Sequence, residues 1–230
     1  HCFAVSSCVL SLDDFYLSRH ARRDLADSVH PLLATRGVPG THDVEALMEC
    51  MDGLLSADSD TRTPLPRFDK SADDRLPESR WHSVQGRPGV ILLEGWCLGA
   101  RAVGAHELEA PLNSLEAEQD PDGLWRHYVN DQLADRYQGL FRRFDRSLFL
   151  QAPSWEAVQR WRLLQEAKLI RNRSDSYRAH LDEGEAFATF MAHYERITRR
   201  LLESPPASDV HLALNEQQCF TALTLNPSER

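Results

Sequence analysis

The stretch that decides the fold is VLSLDDFYLSRH, residues 9–20. An apolar run leads into two adjacent aspartates, Asp13 and Asp14, and two aromatic residues follow at once. Such a run is typical of a buried strand in a parallel sheet, and these sheets bind ligands at the carboxyl ends of their strands. The stretch therefore predicts two carboxylates beside a ligand crevice, although an aspartate before a helix is also a common N-cap.

Similar apolar runs recur along the chain and alternate with helical patterns. The strands are predicted at residues 4–12, 90–93, 148–150 and 210–214. The helices are predicted at residues 19–29, at 43–55 after a Thr41 cap, at 124–144, from a Ser154 cap to about 170, and at 187–201. This alternation predicts an α/β fold with a mostly parallel sheet and helices on both faces.

Composition excludes several classes of protein. The chain has 26 basic and 35 acidic residues, a net charge of −9, which argues against a nucleic-acid-binding protein. No apolar run approaches the roughly 20 residues that a membrane span needs. The five cysteines are scattered and indicate reduced thiols, so we expect a cytoplasmic protein, or an organellar one in a eukaryote.

A second acid follows the second predicted strand. In ILLEGWC, residues 91–97, Glu94 and Gly95 end an apolar run, as Asp13 does in the first strand. In phosphate-transferring folds an acid at this place contacts magnesium directly or through water. The alternative is an ordinary strand-end acid that faces solvent.

Two loops and one helix carry further charge. PRFDKSADDR, residues 66–75, surrounds one aromatic residue with mixed charge and is either a substrate loop or a solvated one. HPLLATRGVPGTHD, residues 30–43, has turn-forming glycines and a proline, so Arg36 and His42 either reach an anion or belong to a plain connection. The basic stretch at 160–173 either closes over phosphates or forms a solvated helix face.

Taken together, these motifs resemble one family. The resemblance to the D-glycerate 3-kinase family, P-loop kinases related to uridine kinase, pantothenate kinase and phosphoribulokinase, covers residues 9–214. It rests on an ordered set of segments: SLDDFYL, VHPLLATRGVPGTHD, PRFDKSADDR, ILLEGWCLGA, and APLNSLE with DGLWRHYVN. It implies a three-layer α/β/α P-loop NTPase fold, with residues 1–230 as one domain and a substrate or lid insertion around 98–146.

The resemblance also implies a reaction. The γ-phosphate of ATP would pass to a hydroxyl group of a small organic acid, most simply D-glycerate, to give 3-phosphoglycerate, with Mg²⁺ as the metal. The only partner implied is this small hydroxy acid, without nucleic acid or membrane. The same superfamily leaves a kinase of a nucleoside or of pantothenate as an alternative.

Individual residues receive roles by the same resemblance. Asp13 would be the base that faces the substrate hydroxyl, Glu94 and Asp13 would lie at the metal, and Arg162 in a lid helix would contact the phosphates. The residues expected to bind substrate are Tyr16, Arg36, His42, Phe68, Asp69, Arg75, Asn113 and Arg126. Arginine suits this task because its guanidinium binds a carboxylate with two hydrogen bonds.

The sequence departs from the family pattern at its start. The phosphate-binding loop G-x-x-x-x-G-K-[ST], which wraps the phosphates with backbone N–H groups, does not occur in it. We expect a piece of a longer kinase whose first strand, P-loop and helix are missing, so no nucleotide-binding residue is assigned. The alternative from another class is a truncated, non-catalytic binding module.

Overall fold

The computed structural model describes residues 5–171 and 184–226, except for the side chains of 166–171 and 185. In this part the strands are β1 Ser7–Ser11, β2 Arg62–Leu65, β3 Phe68–Asp69, β4 Asp74–Arg75, β5 His82–Gln85, β6 Val90–Glu94, β7 Leu148–Gln151, β8 Val210–Leu214 and β9 Phe220–Leu225. The helices are α1 Arg19–Ser28, α2 Val44–Ser56, α3 Ser114–Gln119, α4 Leu124–Gln132, α5 Gln138–Phe141, α6 Trp155–Arg171 and α7 Glu185–Glu203.

The chain divides into two compact units. The first unit comprises the residues up to Leu98 together with Asp122–Leu140, and the second comprises Gly99–Pro121 and the residues from Phe141 onward. The stretch around 98–146 thus contributes to both units. The division of the chain into one core domain and an insertion stays a prediction.

In the first unit, β1 and β6 pair in parallel, with Ser11 opposite Glu94. Cys8 and Leu10 point to the buried face of β1, whereas Val9 is 62% exposed. The prediction that these strands are buried throughout was wrong for Val9, Val90 and Leu92, because alternate side chains of a strand point to opposite faces.

Two antiparallel pairs in the first unit were not predicted. β2 pairs with β5, and the very short β3 pairs with β4. β2, β4 and β5 carry mostly polar and charged residues that are largely exposed or half-buried, and β3 has only two residues, so no apolar run marks these strands. The pair β3–β4 forms a hairpin that contains Phe68, Asp69 and Arg75, three of the residues expected to bind substrate.

Helices α1, α2 and α6 begin at or next to the predicted residues, but the capping residue of α2 differs from the prediction. Ser18 caps α1 and Ser154 caps α6, each by accepting a hydrogen bond from a backbone N–H of the first turn. The cap of α2 is Asp43, which accepts from Ala46 N at 3.0 Å, and not the predicted Thr41. Thr41 is buried instead, where its hydroxyl bonds Gly37 N and Val38 O within the preceding loop.

The helical stretch predicted at 124–144 is interrupted. α4 passes through a π-helical turn, Leu133–Tyr137, into α5, which ends at Phe141. Its buried side chains are Trp125, Arg126, Val129, Leu133, Tyr137 and Leu140. On an ideal α-helix, side chains spaced four residues apart rotate gradually away from one face. The wider π-helical turn compensates for this rotation, so that Tyr137 still lies on the buried face.

The second unit holds a mixed sheet and two long helices. β7 and β8 are parallel, as predicted, and β9 pairs antiparallel to β8. α6 and α7 form a core of Trp155, Phe187 and Met191. α7 ends just before Pro205, as the sequence predicts.

Two further observations concern the described residues. Cys8, Cys50, Cys97 and Cys219 are free thiols, as expected, and Cys2 lies outside the described residues. Within the part of the chain that the structure describes, no helix has both the length and the apolar character needed to cross a bilayer.

Candidate active site

Asp13 lies directly after β1, in a 3₁₀ turn, Leu12–Phe15. Leu12 and Phe15 anchor this turn because both are almost fully buried. The Asp13 carboxylate accepts a hydrogen bond from the Tyr16 hydroxyl at 2.9 Å and one from Lys70 Nζ at 2.5 Å. Its side chain keeps 34% of its surface exposed, so the carboxylate is held in place and still open to a ligand.

The surroundings of Asp13 keep it ionised. Burial acts to raise the pKa of its carboxyl group, but the charge of Lys70 and the hydrogen bonds from Lys70 and Tyr16 outweigh it, so the pKa is lowered. The interpretation of Asp13 and Asp14 as caps of the following helix is wrong, since Ser18 caps α1. Asp14 instead bonds Phe68 N and Arg67, on the 66–75 loop.

Glu94 is the last residue of β6. Because β6 runs parallel to β1 with Glu94 beside Ser11, Glu94 and Asp13 leave the sheet at the same end. Glu94 is exposed, so either interpretation of the sequence, a metal ligand or a solvated strand-end acid, agrees with its position. Its role at a metal stays a prediction.

The loop before α2 places His42 next to the turn that carries Asp13. The His42 ring stacks on the Tyr16 ring, with centroids 4.4 Å apart. His42 Nδ1 lies 2.6 Å from the Tyr137 hydroxyl oxygen. Burial lowers the pKa of His42 to about 3, against a smaller opposing effect of Asp13, so the imidazole is neutral at physiological pH.

Gly40 allows this loop to approach the helix. Its φ is +97°, a conformation that side chains rarely adopt, and an added Cβ would lie 2.5 Å from Tyr128 Cε1. Gly40 N donates to the Tyr137 hydroxyl at 3.2 Å. The sequence correctly predicted a rigid turn here, and the structure shows that the turn contacts α4 and its π turn.

The hairpin at 68–75 is tied to the same region by a buried arginine. Arg22 is completely buried and donates hydrogen bonds to Leu17 O, Ala34 O and both a carbonyl and a carboxylate oxygen of Asp73. Arg36 also bonds the Asp73 carboxylate. The guanidinium groups of Arg22 and Arg36 lie over the Phe68 ring, each 5.6 Å from its centroid.

These contacts bring most of the predicted residues of the first unit together. Phe68 is buried and meets Tyr16 edge-on, with ring centroids 5.2 Å apart. Arg75 donates to Tyr16 O at 2.7 Å and to Asp43 at 2.8 Å. The structure thus joins the motifs SLDDFYL, GVPGTHD and PRFDKSADDR, which lie far apart in the sequence, around Tyr16.

Comparisons with known proteins show what the chain is similar to. No protein-family model matches the chain. The uncharacterized kinase mug58 of Schizosaccharomyces pombe is 34% identical over 166 residues, which are 69% of this chain and 58% of that protein. The chloroplastic D-glycerate 3-kinase of Arabidopsis thaliana is 29% identical over 213 residues, 88% of this chain and 44% of that protein.

A solved structure decides the identification. The D-glycerate 3-kinase of Cryptococcus neoformans superposes with a TM-score of 0.75 at 26% identity, covering 97% of this chain and 81% of that one. The chain belongs to the D-glycerate 3-kinase family. Its fold class is α/β, that of the P-loop kinase-like D-glycerate kinases, as the sequence predicted. The chain spans about half the length of the two curated relatives named above.

Other residues expected from the family pattern have clear structural contacts. The Asp69 carboxylate accepts hydrogen bonds from Ser71 N and Oγ and closes the hairpin turn. Arg126 is buried at the start of α4, where its guanidinium lies close to Gly123. Both contacts are compatible with a local structural role, and the family roles of Asp69 and Arg126 stay predictions.

Two predicted residues belong to the second unit. Asn113 caps α3 by accepting from Glu116 N, and its amide donates to Ala192 O and Glu195 on α7. Arg162 on α6 bonds Gln165 and lies over the Phe190 ring, 5.4 Å from its centroid. Their roles toward substrate and phosphates stay predictions, and the end of the basic stretch at 172–173 lies outside the described residues.

Sequence reasoning missed two residues that contact the predicted site residues Asp13 and His42. Lys70 lies in a segment that was singled out, but its charge gave no sign that it pairs with Asp13. Tyr137 lies 95 positions from His42, and only its place in the series Trp125, Val129 and Leu133 marks it as facing inward. Tertiary structure alone brings such distant residues into contact.

Proposed function

We propose that the protein is an ATP-dependent kinase that phosphorylates a hydroxyl group of a small organic acid. D-glycerate, with 3-phosphoglycerate as the product, is the first candidate. Family membership supports the reaction class, and the names of two relatives, the D-glycerate 3-kinases of Arabidopsis and Cryptococcus, support the substrate.

The observation that carries the proposal is the environment of Asp13. Its carboxylate is ionised, oriented by Tyr16 and Lys70, and partly exposed at the end of β1, next to the strand that ends in Glu94. A carboxylate with these properties can accept the proton of a substrate hydroxyl. The hydroxyl oxygen then forms a bond to the γ-phosphorus of ATP, the bond from that phosphorus to the β–γ bridging oxygen breaks, and ADP leaves.

Lys70 supplies positive charge at the same place. Its ammonium group contacts Asp13, and the Lys70 side chain is 51% exposed, so it can turn toward a phosphoryl group without losing buried contacts. Charge that develops on the transferred phosphoryl group is stabilised best by a cation that is already in position. We therefore assign Lys70 to the phosphoryl group and Asp13 to the hydroxyl.

The carboxylates present fit a magnesium ion. Mg²⁺ prefers oxygen ligands and is usually held by one or two carboxylates together with substrate phosphates and water. Among the described residues no three His, Cys, Asp or Glu side chains form a metal cluster, but Asp13 and Glu94 provide two carboxylates at one end of the sheet. These two residues would hold the ion, which, when bound, would neutralise charge on the phosphates.

An acidic substrate also requires a cation for its carboxylate. Arg36 and Arg75 flank the 68–75 hairpin, where each already binds an aspartate, Asp73 and Asp43 respectively. Phe68 and Tyr16 would form the apolar side of the pocket between them. We expect one of these guanidinium groups to bind the substrate carboxylate through two hydrogen bonds.

The location of the protein is part of the same proposal. Free thiols at four described cysteines agree with a reducing compartment, so the cytoplasm is the first expectation. The name of the Arabidopsis relative includes "chloroplastic", which supports an organelle as the alternative in a eukaryote. We propose a small acid as the substrate and no nucleic acid or membrane as a partner.

The experiment is a substrate panel with the complete protein, Mg²⁺ and ATP. D-glycerate is compared with lactate, which lacks the 3-hydroxyl, with glycerol, which lacks the carboxylate, and with uridine and pantothenate. Among these compounds, we expect only D-glycerate to cause ADP release. Phosphorus NMR should then show a product that is phosphorylated at the 3-hydroxyl. Transfer to uridine or pantothenate instead would overturn the proposed substrate. Absence of transfer to every compound would overturn the proposal that the protein is a kinase.

A further inference from the structure

Tyr137 and His42 form a buried pair beside Asp13. Tyr137 is fully buried, and His42 is 5% exposed. The phenol oxygen lies 2.6 Å from His42 Nδ1, and the two rings meet edge-on with centroids 5.9 Å apart. Nothing in the proposed function uses Tyr137, which lies on the π turn of the helical segment that supports the His42 loop.

The direction of this hydrogen bond is argued from the surroundings of the Tyr137 hydroxyl. The backbone N–H group of Gly40 donates to the phenol oxygen at 3.2 Å, and a phenol oxygen can accept one bond while its own hydrogen is donated to another group. Burial raises the pKa of Tyr137 well above its usual value, so the phenol keeps its hydrogen. The retained hydrogen needs an acceptor, and His42 Nδ1 lies 2.6 Å from the phenol oxygen, so we take the phenol as the donor of this hydrogen bond.

The tautomer of His42 follows in turn. A neutral imidazole has one N–H donor and one acceptor nitrogen. Because Nδ1 accepts from Tyr137, the hydrogen lies on Nε2. The imidazole is fixed by stacking on Tyr16, whose hydroxyl bonds Asp13, and the charge of Asp13 also acts on His42.

We infer that Tyr137 is a positioning residue that holds His42 as the Nε2–H tautomer, and that this N–H binds an oxygen of the acid substrate. This inference rests on the proposed function and specifies how its substrate is recognised. A fixed neutral donor next to Asp13 binds a hydroxyl or carboxylate oxygen without adding a charge that would compete with Lys70. It also discriminates against compounds that leave this buried N–H without an acceptor.

The test uses Tyr137→Phe in the complete protein, with Tyr128→Phe as the matched control. Both variants remove one phenol hydroxyl from the same helical segment, but only Tyr137 bonds His42. We expect Tyr137→Phe to raise the KM for D-glycerate roughly 3–10-fold, the cost of a weakened neutral hydrogen bond, with the KM for ATP unchanged. We expect Tyr128→Phe to leave both constants within twofold of wild type.

Nitrogen NMR of histidine-labelled protein provides a second readout that does not depend on activity. The His42 signals are assigned from their loss in His42→Gln. Wild type should show a protonated Nε2 and an unprotonated Nδ1, and Tyr137→Phe should shift the population toward the Nδ1–H tautomer. A wild-type spectrum with the hydrogen on Nδ1 would overturn the inference even if Tyr137→Phe folds poorly.

Amide replacements of His42 test the position of the donor. The side-chain nitrogen of glutamine can lie near the place of Nε2, whereas that of asparagine lies near Nδ1. We expect His42→Gln to keep a lower KM for D-glycerate than His42→Asn. Equal KM values for the two variants, or an unchanged KM in Tyr137→Phe, would remove the role of the Nε2–H donor.

The two proposals fail in different ways. If wild type transfers no phosphate to any acid, the proposed function fails, whatever the tautomer of His42. If wild type phosphorylates D-glycerate while the KM and the His42 tautomer do not respond to Tyr137→Phe, only the inference about Tyr137 and His42 fails.

Discussion

Asp13 in the first unit and Glu116 in the second unit are both acids paired with a cation, but their surroundings differ. Glu116 is completely buried, and its two carboxylate oxygens accept from Arg196 Nε, Arg196 Nη2 and Leu112 N at 2.5–2.8 Å. Asp13 accepts from two side chains, the buried Tyr16 and the exposed Lys70, and keeps a third of its surface exposed.

The difference shows what each ion pair can do. Glu116 joins α3 to α7 and has no surface left for a ligand, so its contribution is to the stability of the fold. Asp13 is ionised and oriented by its neighbours, yet accessible, so a substrate can replace water around it. A close carboxylate–cation contact alone does not separate the two cases, whereas exposure and the number of donors do.

The largest expected effect is the loss of the base. Asp13→Asn should lower kcat for D-glycerate roughly 10²–10⁴-fold, because the amide cannot accept the hydroxyl proton. Asp14→Asn is the matched control at the neighbouring position, and its kcat should stay within a few-fold of wild type, since asparagine still accepts from Phe68 N. Steady-state kinetics at saturating ATP measure kcat for both variants. Equal losses of kcat would contradict a specific role of Asp13 as the base.

For the buried Glu116–Arg196 pair, we expect a loss of stability and no loss of activity. Glu116→Gln leaves the Arg196 guanidinium, 22% exposed, without its anion, and should lower the free energy of unfolding by roughly 3 kcal/mol. Urea unfolding of wild type and variant measures this loss. Glu216→Gln, which affects an exposed pair with Arg160, is the control and should cost less than about 1 kcal/mol. A Glu116→Gln protein as stable as wild type would contradict the structural role.

Lys70 should have an intermediate effect. Lys70→Gln removes the cation beside Asp13 and should lower kcat/KM roughly 10–100-fold, because charge on the phosphoryl group loses a stabilising contact. The exposed position of Lys70 predicts a change of less than about 1 kcal/mol in the free energy of unfolding. Lys70→Arg keeps the charge and should recover part of the rate. Full activity of Lys70→Gln would contradict the role of Lys70 in catalysis.

The smallest effect concerns pH and the buried His42. Because burial lowers its pKa from 6.5 to about 3, the unfolded chain binds more protons than the folded one between these values. Stability from His42 is therefore complete above pH 6.5 and falls as the pH is lowered toward 3. In urea unfolding from pH 7 to 4, His42→Gln should lose stability with falling pH less steeply than wild type. Parallel curves would show that His42 is not buried as a neutral ring.

Several features of the site could be predicted from the sequence because they depend on local patterns. Apolar runs placed β1 and β6, and their parallel pairing brought Asp13 and Glu94 to one end of the sheet, as expected. The turn at Gly40 followed from its residue type. These are properties of short segments, in which strand period and backbone freedom are decided by the residues themselves.

The contacts that give the site its chemistry could not be predicted in the same way. Lys70 meets Asp13, and Tyr137 meets His42, across 57 and 95 residues. The cap of α2 shows the same limit on a shorter scale, since Thr41 is a good capping residue that the loop uses for its own hydrogen bonds. Competition among tertiary contacts decides such pairings, and a single sequence does not record it.

The comparison of Asp13 with Glu116 is tested most directly by measuring kcat and the free energy of unfolding on the same preparations of Asp13→Asn and Glu116→Gln. The account predicts opposite outcomes: Asp13→Asn keeps a near wild-type unfolding free energy and loses kcat at least 100-fold, while Glu116→Gln loses roughly 3 kcal/mol and keeps its kcat. A stable Asp13→Asn enzyme that phosphorylates D-glycerate at the wild-type rate would contradict it.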